Sequence, residues 1–288
     1  MSNNLLLPTC PNGCAGELSK TNIVVTEGAL RECPTCGHLV SSCTKDYYEL
    51  SNQDWNTEEG TWPSEIDMKR LIKRKTRDIK TISDLLKKKT EIHLLDVGSS
   101  NGAFVSFAKS LGIHAEGVDP SEKAVRNGTD RGLKIHLGYL HEAAFQDASF
   151  DAITLYEVIE HIDEPQALLK ECHRILRPNG ILLIGTGNID SWTRWIRKGK
   201  WDFFNMKEHG GHISFFSPKS LGVLSSRTGF VVNKIRTSSV KFYEKKDVPY
   251  FLYRITKIFS EILNIPSRFF NKGHQMEAYL VANKTISA

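Results

Sequence analysis

From residue 91 onward, short apolar segments alternate with helical segments, and this alternation constrains the fold more than any other feature of the sequence. Seven segments have the length and composition of strands: 92–97, 115–119, 134–137, 152–156, 181–184, 230–235 and 277–282. Helical patterns lie between several of them, at 103–111, 122–131, 165–176 and 218–228. Strands that alternate with helices build parallel sheets, because each helix carries the chain back to the start of the next strand. The sequence therefore predicts the α/β class, with a mostly parallel, doubly wound sheet of seven strands.

The composition agrees with a folded protein and excludes several other classes. Of the 288 residues, 40% are hydrophobic and 25% are charged, as in ordinary globular domains. No apolar run approaches the roughly 18 residues that a membrane span requires. The first residues, MSNNLLLPTC, carry neither the basic nor the long apolar part of an export signal, so we expect a cytoplasmic protein. The net charge of +5 is too small to indicate a nucleic-acid-binding protein.

Four of the six cysteines form two closely spaced pairs near the start of the chain, Cys10 with Cys14 and Cys33 with Cys36. In a chain without an export signal, such clusters indicate a metal site more than disulfides. Two thiolates at this spacing can reach one tetrahedral ion, and the segment 18–31 between the pairs has the pattern of a β-hairpin. The cysteines therefore predict a zinc ribbon with one structural zinc. Two unrelated pairs of buried thiols are the alternative.

These patterns divide the chain into three predicted parts. Residues 1–45 form the zinc-ribbon module, residues 46–90 a linker and a basic helical segment, and residues 91–288 the α/β domain. Within the middle part, 45–63 has the composition of a linker or an irregular lid. The following helical pattern carries ten Lys and Arg residues between positions 69 and 89. A solvated face of an amphipathic helix explains these charges better than a surface that binds polyanions.

A segment at 243–272 separates the last two predicted strands and includes an apolar, basic, helix-like stretch at 250–263. We expect this stretch to pack against the core. The alternatives are that it covers the active site or makes peripheral contact with a membrane surface.

The first strand of the alternating region ends in a loop that is typical of ligand binding. The loop contains Asp96, Gly98 and Gly102 and precedes a helix, so its backbone N–H groups can approach a ligand at the carboxyl edge of the sheet. Asp119 ends the next strand, where a carboxylate can accept both hydroxyls of a ribose. A nicotinamide cofactor is the alternative. However, the loop lacks the Gly-x-Gly-x-x-Gly spacing, and Asp96 suits a ligand with a cationic amino-acid tail.

These residues resemble the class I S-adenosylmethionine-dependent methyltransferases, and later segments continue the resemblance in the order of that family's motifs. The later segments are 138–142, 149–155, 156–165, 176–180 and 186–188. The stretch 208–221 and the N-terminal zinc ribbon are similar to a subgroup related to ubiquinone-biosynthesis and sugar methyltransferases. Ser100 departs from the pattern, because the family usually has a second glycine at this position. The resemblance implies a Rossmann-like sheet with six parallel strands and an antiparallel last strand, and S-adenosylmethionine as the cofactor.

The resemblance also implies roles for individual residues. Ten residues would contact the cofactor, with Leu140 and Glu142 beside the adenine: Asp96, Gly98, Ser99, Ser100, Gly102, Asp119, Leu140, Glu142, Tyr156 and Glu157. His161 and His212 are the candidates for a general base, which is needed only if the acceptor is a hydroxyl or a carbon acid. His209 is a third candidate. The alternative for each histidine is that it only holds a loop through hydrogen bonds.

The function that follows is methyl transfer to a small molecule, a sugar, a quinone-like ring or a lipid-linked precursor. Methylation of RNA or protein, with the ribbon and the basic helix as docking surfaces, is an alternative, but the modest charge argues against RNA. A non-catalytic binding module is a further alternative, against which the intact Asp96, Gly98, Gly102 and Asp119 argue. The sequence leaves the acceptor and the oligomeric state open.

Overall fold

This computed structural model describes residues 4–58, 61–87, 91–205, 211–243 and 248–284. The described residues form two β-sheets and eight α-helices. The strands are β1 (Ser19–Val25), β2 (Gly28–Glu32), β3 (Leu39–Val40), β4 (His93–Val97), β5 (His114–Asp119), β6 (Ile135–Leu137), β7 (Phe150–Tyr156), β8 (Leu176–Gly187), β9 (Ser214–Phe215), β10 (Phe230–Ser238) and β11 (Gln275–Ala282). The helices are α1 (Lys45–Glu58), α2 (Glu65–Leu86), α3 (Ala103–Ser110), α4 (Glu122–Thr129), α5 (Pro165–Ile175), α6 (Trp192–Arg197), α7 (Pro218–Arg227) and α8 (Tyr250–Phe269). None of these helices is both long and apolar enough to cross a bilayer.

The larger sheet has seven strands in the order β10-β11-β8-β7-β4-β5-β6. Strand β4 pairs in parallel with β5 and β7, and the parallel pairing continues to β6 and β8. Strand β11 is antiparallel to both of its neighbours, so β10 has the direction of the other strands. The predicted sheet, with six parallel strands and an antiparallel last strand, is confirmed. The carboxyl ends of β4, β5, β7 and β8 therefore meet at one edge, which is where such sheets bind ligands.

Helices cover both faces of this sheet, as its doubly wound form requires. On one face, α5 and α7 pack through Leu169 and Leu224 against β7 and β8. On the other face, α2 and α3 pack through Ile82 and Phe104. The central strands are almost entirely apolar because both of their faces are buried.

The smaller sheet contains the predicted ribbon and one strand from far along the chain. Strands β1 and β2 form an antiparallel hairpin that turns between Val25 and Gly28, as predicted. Strand β3 pairs with β2, and β9 pairs with β3 through Leu39 and Phe215. The sheet of the ribbon is thus completed by β9, which begins two residues after His212, a predicted candidate for the general base.

The interpretation of 45–63 as a linker or irregular lid is wrong for its first part, because Lys45–Glu58 form α1. Thr44 Oγ1 accepts a hydrogen bond from Tyr47 N at 3.3 Å and caps the helix. Tyr47 and Tyr48 pack against the apolar cluster around the cysteines. These two apolar contacts come from adjacent residues of the first turn, so they carry no repeating pattern that marks an amphipathic helix.

Candidate active site

The loop after β4 has a backbone that only small residues can adopt. Gly98 and Gly102 have φ values of 72° and 77°, and Ser100 has a φ of 48°. The backbone N–H groups of Gly98 and Ser99 both donate to the carbonyl of Val118, which fixes the loop to β5. A Cβ at position 98 would lie 2.4 Å from Cγ2 of Val158. Glycine at this position therefore lets the segment after β7 close over the loop.

Two buried carboxylates lie at the ends of neighbouring strands, beside this loop. Asp96 accepts a hydrogen bond from Thr154 Oγ1 at 2.6 Å, and its burial raises its pKa to about 7. Asp119 Oδ2 accepts from Ser100 N at 2.8 Å and Oδ1 accepts from Ser121 N at 2.9 Å. Burial also raises the pKa of Asp119. The structure thus brings the predicted cofactor residues of both strands to one acidic edge.

The buried hydroxyl of Ser99, in the same loop, packs against Gly117 of β5 and has no hydrogen-bond partner among the described residues. Buried polar atoms are nearly always satisfied, so an unsatisfied hydroxyl in this loop suits a polar ligand. The acidic edge, the left-handed turn and this hydroxyl together fit a ligand that carries a ribose and a cationic group.

A cavity of about 180 Å³ opens at the carboxyl ends of β7 and β8. Its lining includes cations and anions: Arg74, Lys75, Asp78, Glu157 and Glu277, together with Tyr156, Gly185, Thr186, Gln275 and Met276. The Nζ atom of Lys75 lies over the ring of Tyr156, 2.8 Å from its centroid. Burial lowers the pKa of Lys75 to about 8, so its side chain is still mainly protonated at neutral pH. The cavity therefore presents both signs of charge to a ligand.

Asp78 fixes the helix that bears Lys75 to the sheet. Its carboxylate accepts hydrogen bonds from the hydroxyls of Tyr156 and Tyr279, each at 3.0 Å, and forms an ion pair with Arg236. The sequence analysis missed both residues: it counted Lys75 among the cations of a solvated face and did not consider Asp78. Their spacing relative to Ile79 and Ile82 contained the signal, because these positions share one side of a helix.

The two predicted histidines lie next to each other. The rings of His161 and His212 are 4.7 Å apart between centroids and meet edge to face. His161 belongs to a 3₁₀ turn after β7, and its N–H donates to the carbonyl of Val158, the residue that packs on Gly98. Fifty residues separate the histidines in sequence, and the fold brings them together near the glycine loop.

His212 is buried and its tautomer follows from its hydrogen bond. Its Nδ1 lies 2.9 Å from the carbonyl oxygen of Phe203, and its ring stacks on the Phe203 ring. A carbonyl only accepts, so Nδ1 carries the proton and Nε2 carries the lone pair of the neutral imidazole. This is the form in which a histidine can accept a proton.

The ribbon contacts the backbone on both sides of the histidine pair. Ser41 N donates to the carbonyl of Ile213, the residue after His212, at 2.9 Å. The hydroxyl of Tyr48 donates to the carbonyl of His161 at 2.6 Å. Ile213 N in turn donates to the carbonyl of Glu160. The ribbon, α1 and the segment after β7 therefore hold the histidines as one unit.

The four paired cysteines converge on one point in the ribbon. Their Sγ atoms all lie within 4.8 Å of one another, and those of Cys10 and Cys36 are 3.7 Å apart. Four sulfurs at about 2.3 Å from one zinc would be separated by about 3.8 Å, so this donor set fits a tetrahedral zinc site. Asn12 Nδ2 donates to Cys36 Sγ and to the carbonyl of Ser220, which ties the cysteine cluster to α7.

A family model described as a methyltransferase domain matches residues 67–235, more than half of the chain. The chain belongs to the methyltransferase-domain family. Among the curated relatives are the ubiquinone biosynthesis O-methyltransferases of Maricaulis maris and Xanthomonas oryzae pv. oryzae. The first is 31% identical over 34% of this chain and 41% of the relative. The second is 32% identical over 33% and 43%, so the chain spans less than half the length of these relatives.

The fold of the family is also found among solved structures. A SAM-dependent methyltransferase from Archaeoglobus fulgidus superposes with a TM-score of 0.53 at 18% sequence identity. The superposition covers 82% of this chain and 99% of that chain. At this identity the similarity is one of fold alone.

The remaining predicted residues of this methyltransferase domain lie near the same edge. Leu140 is buried beyond the end of β6, and Glu142 Oε2 accepts a hydrogen bond from Tyr139 N at 2.7 Å. Glu157 follows β7 with a φ of 55° and lines the cavity beside Tyr156. His209 lies outside the described residues.

Proposed function

We propose that this protein transfers a methyl group from S-adenosylmethionine to a hydroxyl group of a small-molecule acceptor. The observation that carries the proposal is the pair of carboxylates, Asp96 and Asp119, at neighbouring strand ends around the loop from Gly98 to Gly102. When bound, the cofactor supplies an electrophilic methyl group on a sulfonium. The main contribution of the protein would be to position the acceptor relative to that methyl group.

Asp119 would accept hydrogen bonds from the ribose hydroxyls, and Asp96 would stabilise the positive charge of the amino-acid end. Each Asp119 oxygen already accepts one backbone N–H, and a carboxylate oxygen can accept a second donor. Ser99, Ser100, Gly98 and Gly102 would offer the close backbone approach. Leu140 and Glu142 would lie beside the adenine.

The cavity at β7 and β8 would hold the zwitterionic end of the cofactor. Its Lys75 and Arg74 suit a carboxylate, and its Glu157 suits an ammonium group. Tyr156 would orient Lys75 through their ring contact. This role adds Lys75 to the predicted cofactor residues.

His212 would act as the general base, because its Nε2 carries the lone pair and its Nδ1 is fixed by the Phe203 carbonyl. His161 would orient the His212 ring from one edge or act in its place. An acceptor with a hydroxyl, such as the substrates implied by the names of the ubiquinone biosynthesis O-methyltransferases, has a proton to lose. The acceptor class is therefore proposed to be a small, quinone-like or related ring.

We also propose that Cys10, Cys14, Cys33 and Cys36 bind one structural zinc. A zinc ion with four thiolate ligands has no open coordination position and contributes folding energy. Its part in the function would be to hold the ribbon, and through β3 the strand that follows His212.

Cofactor binding by Asp119→Ala tests the proposal. Calorimetry with S-adenosylmethionine and with its demethylated product should show binding by the unchanged protein. The variant should bind both about 10- to 100-fold more weakly, because the acceptor of two ribose hydroxyls is lost (roughly 1–3 kcal/mol). Asp130→Ala, which removes an exposed carboxylate at the end of α4, is the matched control and should bind normally. Equal affinity in Asp119→Ala would overturn the assignment.

A further inference from the structure

Helix α8 packs on the protein with its polar face. The side of α8 that faces the sheet carries Ser260, Asn264 and Ser267, and both serines are buried. Asn264 Oδ1 accepts a hydrogen bond from Val240 N at 2.7 Å, and the hydroxyl of Thr237 donates to the Ser267 carbonyl. Amphipathic helices of globular domains normally bury their apolar face, so α8 is inverted.

The opposite side of α8 exposes a continuous apolar stripe. The stripe consists of Phe251, Ile255, Ile258, Ile262, Ile265 and Phe269, with exposed fractions between 45% and 82%. Their spacing alternates between four and three residues, so at about 100° per residue they occupy an arc of about 80°. The stripe runs along a helix of about 30 Å. Such a large apolar surface marks an interaction site.

Cations border this stripe along one side. Arg254, Lys257 and Arg268 lie about 60° to 120° from its centre, and Glu261 is the single acidic residue of the described helix. Lys and Arg at this angle can extend their long side chains to anionic headgroups while the apolar residues enter the acyl boundary.

Aromatic side chains extend the apolar surface beyond the end of α8. Phe270 is 67% exposed, and its ring lies 6.5 Å from that of Trp192 in α6. Trp195 is 71% exposed and lies one turn after Trp192. Tryptophan and phenylalanine with this exposure are typical of the interfacial region of a bilayer.

A second copy of the chain fits the stripe less well. With the stripe as a coiled-coil seam, an antiparallel pair would place Arg254 against the partner's Arg268 and Glu261 against the partner's Glu261. A parallel pair would place Arg254 against the partner's Phe259 and Glu261 against the partner's Pro266, so neither residue would form an ion pair. The flanking charges therefore complement an anionic surface and do not complement α8 itself.

We propose that α8, with Phe270 and Trp195, docks the protein on a membrane surface that contains anionic lipids. The helix would lie in the plane of the interface, with its stripe in the acyl boundary. The segment after α8 leads directly into β11, whose first residues, Gln275 and Met276, line the cavity. Docking through α8 would therefore bring the candidate active site close to apolar molecules dissolved in the bilayer. The docking itself does not depend on the proposed methyl transfer.

Vesicle flotation with the full chain tests the docking. The probes are phosphatidylcholine vesicles with and without 30% phosphatidylglycerol, and the protein should float with the anionic vesicles. The double variant Ile258→Asp/Ile262→Asp should partition at least about 50-fold more weakly, because two isoleucines that would enter the bilayer are replaced by charges. The matched control is Ile66→Asp/Leu111→Asp, which makes the same change at two exposed apolar residues, one in α2 and one just after α3, and should float normally. Arg254→Gln/Arg268→Gln should reduce the salt-sensitive part of the binding.

Three results would overturn the proposal: no flotation of the unchanged protein, equal flotation of the stripe variant, or a dimer that the stripe variant abolishes in the absence of vesicle binding. The last result would assign the stripe to a second copy. Asp119→Ala should float like the unchanged protein, so a failure of the cofactor assignment and a failure of docking give different results. Circular dichroism of each variant confirms that the fold is retained.

Discussion

The cysteine ribbon holds the backbone just after His212, and the carboxyl edge of the large sheet holds His161, but the two regions are built in different ways. The ribbon's four sulfurs come from a stretch of 27 residues, whereas the sheet edge combines strand ends from β4 to β8. The edge holds His161 through the turn after β7, and the ribbon holds the residue after His212 through β3 and Ser41. The comparison indicates that the ribbon is a support for the candidate base as well as a separate module.

The same contrast bears on the alternative in which the ribbon and the basic helix dock a nucleic acid. Several exposed cations of α2 already have partners on the helix: Lys69 with Glu65, Arg70 with Asp67 and Lys80 with Asp84, at 2.6, 3.0 and 2.8 Å. Lys75 is partly buried and lines the cavity. The basic segment is thus partly neutralised and partly used inside the fold, which favours the small-molecule proposal.

The largest expected effect comes from breaking the ribbon. Cys33→Ser should abolish zinc binding and unfold the region around β1–β3, because zinc binding by such modules is worth about 10–16 kcal/mol. Turnover should fall by about 100-fold through displacement of His212, while cofactor affinity stays within about 2-fold. Elemental analysis, hydrogen exchange and calorimetry measure the three quantities.

Cys43→Ser provides the control, because Cys43 is buried in the same module but lies outside the sulfur cluster. It should retain zinc. If Cys33→Ser lost zinc without any change in turnover, the ribbon would be a separate module with no support role.

A second prediction examines the candidate base itself. His212→Gln should lower turnover by about 10²–10⁴ with almost unchanged cofactor affinity, the usual range for loss of a general base. His161→Gln should have a smaller effect if His161 only orients the ring. Near-normal turnover of both variants would favour an acceptor that is already nucleophilic, such as an amine or a thiolate.

The two regions also differ in how far the sequence predicts them. The cysteine cluster and the hairpin follow from spacing and local pattern, and the placement of Asp96, Gly98 and Asp119 at the sheet edge follows from strand ends, so both sets could be named in advance. The pairing of Leu39 with Phe215 could not, because two-residue strands have no pattern and their register depends on tertiary packing. The contacts that join the ribbon to His212 were therefore invisible in the sequence.

Charges on helices were a second source of error, and for a physical reason. The sequence places Lys75 and Asp78 on a basic helix, where solvent exposure is the usual state. The carboxylate of Asp78 is stable in the interior because three residues from three different strands, Arg236, Tyr156 and Tyr279, form an ion pair or hydrogen bonds with it. In the same way, the sequence identified 250–263 as an apolar, basic, helix-like stretch but could not tell which side of the helix meets the core.

The third prediction concerns the buried carboxyl group of Glu160, whose backbone carbonyl links the histidine turn to Ile213. Burial, followed by the nearby Glu157, raises the pKa of Glu160 to about 8. Between about pH 4.3 and 8 the folded state keeps a proton that the unfolded state loses, so its contribution to the free energy of unfolding falls as the pH rises. Glu160→Gln should remove this decline, which is at most about 1.4 kcal/mol per pH unit.

Urea unfolding at pH 5, 6, 7 and 8 measures the difference in slope. Glu164→Gln is the matched control, because Glu164 lies four residues later and is exposed. Parallel pH dependences for the unchanged protein and Glu160→Gln would show that the Glu160 carboxyl does not titrate differently in the two states.

The smallest expected effect comes from a variant that removes the contact between α1 and the histidine turn and leaves the ribbon unchanged. Tyr48→Phe removes the hydroxyl that donates to the His161 carbonyl and should cost about 1 kcal/mol of stability. Turnover should fall several-fold without loss of zinc, since the cysteines are untouched. Tyr47→Phe is the control on the same helix, because the Tyr47 hydroxyl approaches Glu27 instead. If the two variants had the same turnover, the Tyr48 contact would contribute only to folding, and β9 alone would transmit the support of the ribbon to the histidines.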